Sequence, residues 1–118
     1  LGTTHADYFH GTIPCTKPLT KAEIAKDYEL NTGTAIVRRF KGLDPATMPA
    51  VLVANHASFC WGPDVTAATD NASYLEEVAT MAHHTLTLDP KAKPVAAALL
   101  DKHFLRKHGR DAYYGQPK

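Results

Sequence analysis

The chain has 118 residues, enough for one domain able to bury roughly two-thirds of its unfolded surface. It is 44% hydrophobic and 21% charged, with 13 basic and 12 acidic residues and a net charge of +1. That balance gives no electrostatic footprint for nucleic acid or an anionic membrane. No apolar run approaches the roughly 20 residues of a membrane helix, and the first residues lack the basic-then-apolar order of a secretory leader. The two cysteines, Cys15 and Cys60, form no CxxC pair and read as reduced thiols. Seven histidines are a generous supply of the side chain that both binds metal and moves protons near neutral pH.

In chain order, residues 1–20 are rich in Gly, Thr and Pro and read as loop with short extended pieces. Thr20 followed by Glu23 has the spacing of a capping box, which predicts a short helix over 21–27. Asn31-Thr32-Gly33 reads as a break. The β-branched run TAIVRRF then predicts a strand over 34–40. After a Gly- and Pro-containing connection, AVLVANHA over 50–57 predicts a second strand, central in a sheet because its first half is apolar on both faces. Pro63 suits a first helical position and Asp64 the positive end of a helix dipole. Val65, Ala68, Ala72, Leu75, Ala79 and Ala82 recur at helical steps, predicting a long amphipathic helix over 63–86. A last helix is expected over 94–108, with Val95, Ala98, Leu99, Lys102 and Leu105 near one face and Gly109 as a left-handed cap. Two strands do not complete a layered domain, so further strands belong either in the N-terminal loop or on other chain.

Several residues carry chemistry, each beside a plainer reading. His56 ends the second predicted strand, where an imidazole can be held rigidly as a metal ligand, or can be a core histidine bonded to a carbonyl. Asp7, among Gly, Thr and aromatic residues, suits a general base or a turn aspartate. Tyr113 and Tyr114 suit a general acid or an aromatic anchor for the tail. His103 sits on a helix whose other face is strongly basic, and that face reads as solvated. His83 and His84 point to different helix faces and make no metal clip.

Taken jointly, GTTHADYFHGTIPCTKPLT, YELNTG, PAVLVANHASFCWG, LEEVATMA and LLDKHFLRKHGRDAYYGQ resemble the L-ribulose-5-phosphate 4-epimerases of the class II aldolase and adducin superfamily. The likeness runs from Leu1 to about Gln116. The opening and closing blocks are particular to the epimerase branch, and the strand-His-turn block is shared more widely. The resemblance implies a three-layer α/β/α fold around a mostly antiparallel central sheet. The whole of residues 1–118 would be the C-terminal part of a single domain, truncated at its N-terminus. It implies a cytoplasmic C4 homotetramer with active sites at subunit interfaces, and a divalent metal, most often Zn2+, held by three histidines.

The implied reaction converts L-ribulose 5-phosphate to D-xylulose 5-phosphate by retro-aldol cleavage and re-addition from the other face. Such chemistry needs a Lewis acid for the enediolate and acid–base groups on opposite sides. Under the resemblance Asp7 and Tyr114 are those groups, contributed by a neighbouring subunit. His56 is the third metal histidine, the other two belonging to an HxH pair that precedes this region in the family. His103 and Glu29 are supporting residues. Alone, the 118 residues would bind zinc weakly and be inactive. The sequence departs from the pattern at Ala57-Ser58, where relatives usually carry Gly-Pro, and at Arg38-Arg39, where a more acidic-polar pair is usual. Two other functions remain open: a class II sugar-phosphate aldolase that releases its aldehyde, and a non-catalytic adducin-like assembly module.

Overall fold

A computed structural model describes residues 1–115. The helices are α1 (Thr3–Ala6), α2 (Lys21–Ala25), α3 (Tyr28–Arg39), α4 (Val65–Leu88) and α5 (Ala97–His108). A small antiparallel ribbon is made of β1 (Ala50–Leu52) and β2 (Ser58–Cys60), paired Ala50 to Cys60, Val51 to Phe59 and Leu52 to Ser58. The chain divides into two compact units, one of Leu1–Thr12 with Ser73 onward and one of Ile13–Ala72. The described chain is therefore α-rich, with an antiparallel sheet far smaller than its helices. The Gln116 end of the resembling stretch lies outside the described residues.

In the Ile13–Ala72 unit, α2 begins as the sequence predicts. The Thr20 hydroxyl accepts from the Glu23 N–H at 3.3 Å, while the Glu23 carboxylate accepts from the Thr20 N–H at 2.8 Å. Those bonds to Thr20 hold the Glu23 carboxyl below its usual pKa. The strand expected over 34–40 is instead the second half of α3. Its supposed breakers are accommodated within the helix. Asn31 donates to the carbonyls of Glu23 and Lys26 at 3.0 and 2.8 Å, and the Thr32 and Thr34 hydroxyls donate back to Tyr28 and Leu30 at 2.9 Å. Thr32 and Ala35 are buried and Ile36 and Phe40 half-buried, a helical spacing that overrides β propensity. The break between α2 and α3 falls at Asp27, in the left-handed region with φ 54°.

The strand expected over 50–57 is only its first three residues. Ala50 and Val51 are fully buried, and β1 is indeed the inner strand: β2 pairs along one edge and Cys15 bridges Leu52 in parallel along the other. The bridge is closed by Thr16 N–H to the Leu52 carbonyl and Leu52 N–H to the Pro14 carbonyl, both 2.9 Å. Val53, Ala54, Asn55, His56 and Ala57 make the hairpin loop. Beyond β2 the Trp61 indole donates to the Pro45 carbonyl at 2.9 Å, and its ring meets Phe40 edge-on at 5.1 Å. Gly62 passes so close to α4 that a Cβ there would lie 2.7 Å from that of Ala67.

Helix α4 starts at Val65, two residues later than Pro63, and Asp64 accepts from the Ala67 N–H at 2.8 Å. Of the predicted stripe, Leu75 is buried and Ala68 and Ala82 half-buried, whereas Val65, Ala72 and Ala79 are exposed. In the other unit Ala6 and Phe9 are fully buried with Leu75, Val78 and Phe104. Residues 3–6, expected as loop, form the single turn α1. The face of α5 differs from the expected one. Leu99 and Leu105 are exposed, and Leu100, His103, Phe104, Arg106 and Lys107 turn inward. Gly109 is not left-handed: φ is −71° and ψ 166°. Its glycine is required by proximity, since a Cβ would sit 2.5 Å from the Leu105 carbonyl oxygen.

Candidate active site

The rotated face of α5 brings ionisable side chains to Asp7. Asp7 follows α1 directly, and its carboxylate is only 17% exposed. Its Oδ1 lies 3.0 Å from His103 Nδ1 and accepts from Arg106 Nη2 at 3.2 Å. Its Oδ2 meets the same Nη2 at 3.4 Å, and its backbone carbonyl lies 2.8 Å from His108 Nε2. The network follows from helix geometry: His103 and Arg106 are three residues apart and share a face. Arg106, Lys107 and His108 fill the last turn of α5, where cations suit the helix dipole. With Nδ1 of His103 bonded to a carboxylate, its Nε2 is the nitrogen left to accept when the ring is neutral.

Tyr114 joins through Arg106. The guanidinium carbon lies 4.3 Å from the Tyr114 ring centre, and the Arg106 carbonyl accepts from the Tyr113 and Tyr114 N–H groups at 2.9 and 3.0 Å. Alongside, the Tyr8 and Tyr74 rings stack at 3.6 Å, and Lys107 lies 4.1 Å over the Tyr8 ring. Asp7, His103 and Tyr114, three of the residues expected to act, therefore meet around one arginine. Sequence reading placed Arg106 on a solvated cationic face and missed it. Its three-residue step from His103 was the available signal.

His56 and Glu29 lie in the other unit. Glu29 is exposed in the first turn of α3, where a carboxylate suits the helix dipole. His56 is exposed in the β1–β2 hairpin loop and not at a strand end; its ring packs on Phe59 at 5.4 Å. Its N–H donates to the Val53 carbonyl at 3.0 Å. The left-handed residue of that loop is Asn55, φ 61°, and not Ala57, so the backbone at Ala57 tolerates its Cβ. Among the described residues no three His, Cys, Asp or Glu side chains gather as a metal would require. The hairpin thus offers one exposed imidazole, without a complete metal centre among the described residues. Cys15 and Cys60 are free thiols, and burial pushes the Cys60 thiol up. A largely apolar groove of about 580 Å³ is lined by Ile36, Val37, Phe40, Leu43 and Trp61, with Arg38 and Lys41 beside them. No helix among the described residues is long and apolar enough to cross a membrane.

Residues 1–83 match the family described as Class II Aldolase and Adducin N-terminal domain. The chain belongs to the class II aldolase and adducin family. Members of that family generally depend on a divalent metal. The chain is 47% identical over 116 residues to proteins named L-ribulose-5-phosphate 4-epimerase UlaF from Salmonella paratyphi B and Salmonella choleraesuis. The same holds for the protein of that name from Salmonella typhi. Each alignment takes in 98% of this chain and 51% of the relative, so the chain spans about half the length of the curated relatives it matches.

Proposed function

We propose that the chain supplies the acid–base half of a metal-dependent L-ribulose-5-phosphate 4-epimerase. The observation that carries this reading is the Asp7–Arg106–Tyr114 assembly in a sequence 47% identical, over nearly its whole length, to proteins of that name. In this reading the substrate is L-ribulose 5-phosphate and the product D-xylulose 5-phosphate. Asp7 and Tyr114 are the proton-transfer groups, one for each face of the cleaved intermediate. His103 supports Asp7 through Oδ1, and Glu29 has a supporting place on α3. The small β1–β2 ribbon and α3–α5 belong to a three-layer α/β/α domain with a mostly antiparallel sheet, of which residues 1–118 are the C-terminal part. The working protein is a cytoplasmic homotetramer with its sites between subunits.

His56 is one metal ligand in this reading. Its support is chemical: an exposed imidazole on a short, backbone-bonded hairpin can be presented to an ion without rearrangement. The bound ion, zinc in this reading, supplies Lewis-acid stabilisation of negative charge on the cleaved substrate. Its remaining ligands come from outside the described residues, since His56 has no companions there.

The test is a chimera in which residues 1–118 replace the matching stretch of UlaF. Epimerisation is expected in a coupled assay for D-xylulose 5-phosphate. Asp7→Asn and Tyr114→Phe are each expected to lower kcat by about 10²–10⁴-fold, the range for a general acid or base. Cleavage products accumulating from the unmutated chimera would select the aldolase reading. A folded chimera with neither activity would overturn the enzymatic one in favour of an assembly module. The 118 residues alone are expected to retain less than stoichiometric zinc by elemental analysis.

A further inference from the structure

We propose that Arg106 is the positioning residue that sets Asp7 and Tyr114 in register with each other, an inference that rests on the epimerase reading for its consequences but not for its geometry. One side chain holds both partners. Its Nη2 spans the Asp7 carboxylate at 3.2 and 3.4 Å, while its guanidinium carbon lies over the Tyr114 ring, 4.3 Å from the ring centre. Its own carbonyl holds the Tyr114 N–H at 3.0 Å, fixing the backbone that carries the ring. The Arg106 Nε is buried, with no hydrogen-bond partner among the described residues. Leaving a buried donor unbonded costs stability. The guanidinium therefore sits where Asp7 and Tyr114 require it, and not where its own donors would all be satisfied.

Neither neighbour can substitute. His103 reaches only Oδ1. A lysine ammonium could meet the carboxylate but has no plane to lay along a phenol. The arrangement also distinguishes the two oxygens of Asp7. Oδ1 is held by two donors at 3.0 and 3.2 Å, whereas the contact of Arg106 to Oδ2 is longer, at 3.4 Å. Oδ2 is accordingly the more loosely held of the two oxygens, and the one with more lone-pair capacity left to take a proton.

The first test uses the 118-residue chain with 13C-labelled tyrosine, the Tyr114 ring resonance being assigned by its loss in Tyr114→Phe. Asp7→Asn is expected to move that resonance, because the displaced guanidinium shifts over the ring. In an Arg106→Met background the same substitution is expected to leave it in place. An Asp7→Asn shift of equal size in both backgrounds, or none in either, would overturn the proposal. Arg106→Lys keeps the charge and is expected to retain the fold while losing the coupling.

The second readout is kinetic, in the UlaF chimera. Arg106→Met is expected to lower kcat by about 10²-fold, as misplacement of a reacting group does, with KM within about threefold. Arg106→Ala is expected to recover activity in millimolar guanidinium. An active chimera unaffected by Arg106→Met would overturn the proposal. A folded but inactive chimera with the NMR coupling intact would remove the epimerase reading and leave the positioning role standing.

Discussion

The cluster around Asp7 and the hairpin around His56 are opposite solutions to holding a reactive side chain. Asp7 is mostly buried and bonded to three residues of one helix, ninety-six to a hundred and one positions away along the chain. His56 is exposed and local, held by its own backbone within a hairpin and by the ring of Phe59, three residues further on. The first is a network of ionisable side chains that contact one another within one unit, which in the proposed function are acid–base groups. The second is a single exposed imidazole, which in the proposed function is a metal ligand. Under the proposed function, the difference reflects the different demands of proton transfer and metal binding. A general base must be fixed by its own neighbours, whereas a metal ligand can wait for the ion and for donors from elsewhere to fix it.

The comparison is broken most strongly by removing the carboxylate. Asp7→Ala leaves His103 and Arg106 facing each other, partly buried, without the anion between them. Loss of charge-assisted bonds of this kind costs about 2 kcal/mol, read as a fall in the urea midpoint without a change in slope. The same substitution with Arg106→Met already present is expected to cost less than half as much, since the cation needing a partner is gone.

Next in size is Thr20→Ala, in the unit that carries His56. The capping box ties Thr20 to Glu23 in both directions, and losing an N-cap hydroxyl costs about 1 kcal/mol. This capping effect has no partner in the Asp7 cluster, so in a double variant with Asp7→Ala the two losses are expected to add. A clear departure from additivity would show that the two are not independent.

A third effect separates the units by pH. Burial pushes the His5 imidazole below its usual range, against the opposing influence of its 2.7 Å contact with the Gly11 carbonyl. On acidification the unfolded chain takes up this proton first, near its ordinary pKa of about 6.5. Folding stability contributed at neutral pH is therefore lost as the pH falls from about 6.5 toward the lower folded value, and no further below it. His5→Gln is expected to flatten that part of the stability–pH curve, measured by urea midpoints between about pH 7 and 5.

How much of this was legible in the sequence depended on whether the signal was local. The capping box at Thr20, the long helix α4 and the inner strand β1 rest on short-range patterns and were found. TAIVRRF was misread as a strand because β-branched residues suggest one. What decided for α3 was burial of Thr32 and Ala35 and the side-chain bonds of Asn31, neither visible in propensity. Asp7, His103 and Tyr114 came from a family likeness, with no local signal able to choose them over plainer readings. Arg106 was missed because apolar periodicity selects the Leu99–Leu105 face of α5. A carboxylate almost a hundred residues upstream selects the other face, and only the folded chain shows it.

The smallest expected effect is the sharpest test of the contrast. His56→Ala removes an exposed ring whose contact is Phe59 and leaves the hairpin's backbone bonds in place, so it is expected to change stability by less than about 0.5 kcal/mol. In the UlaF chimera the same change is expected to lower zinc retention through dialysis, while the Tyr114 resonance stays put. If His56→Ala instead destabilised the chain by as much as Asp7→Ala, the imidazole would be a structural residue held as firmly as the carboxylate. The hairpin would then have to be read as part of the protein's packing, and the single outward ligand would disappear from the account.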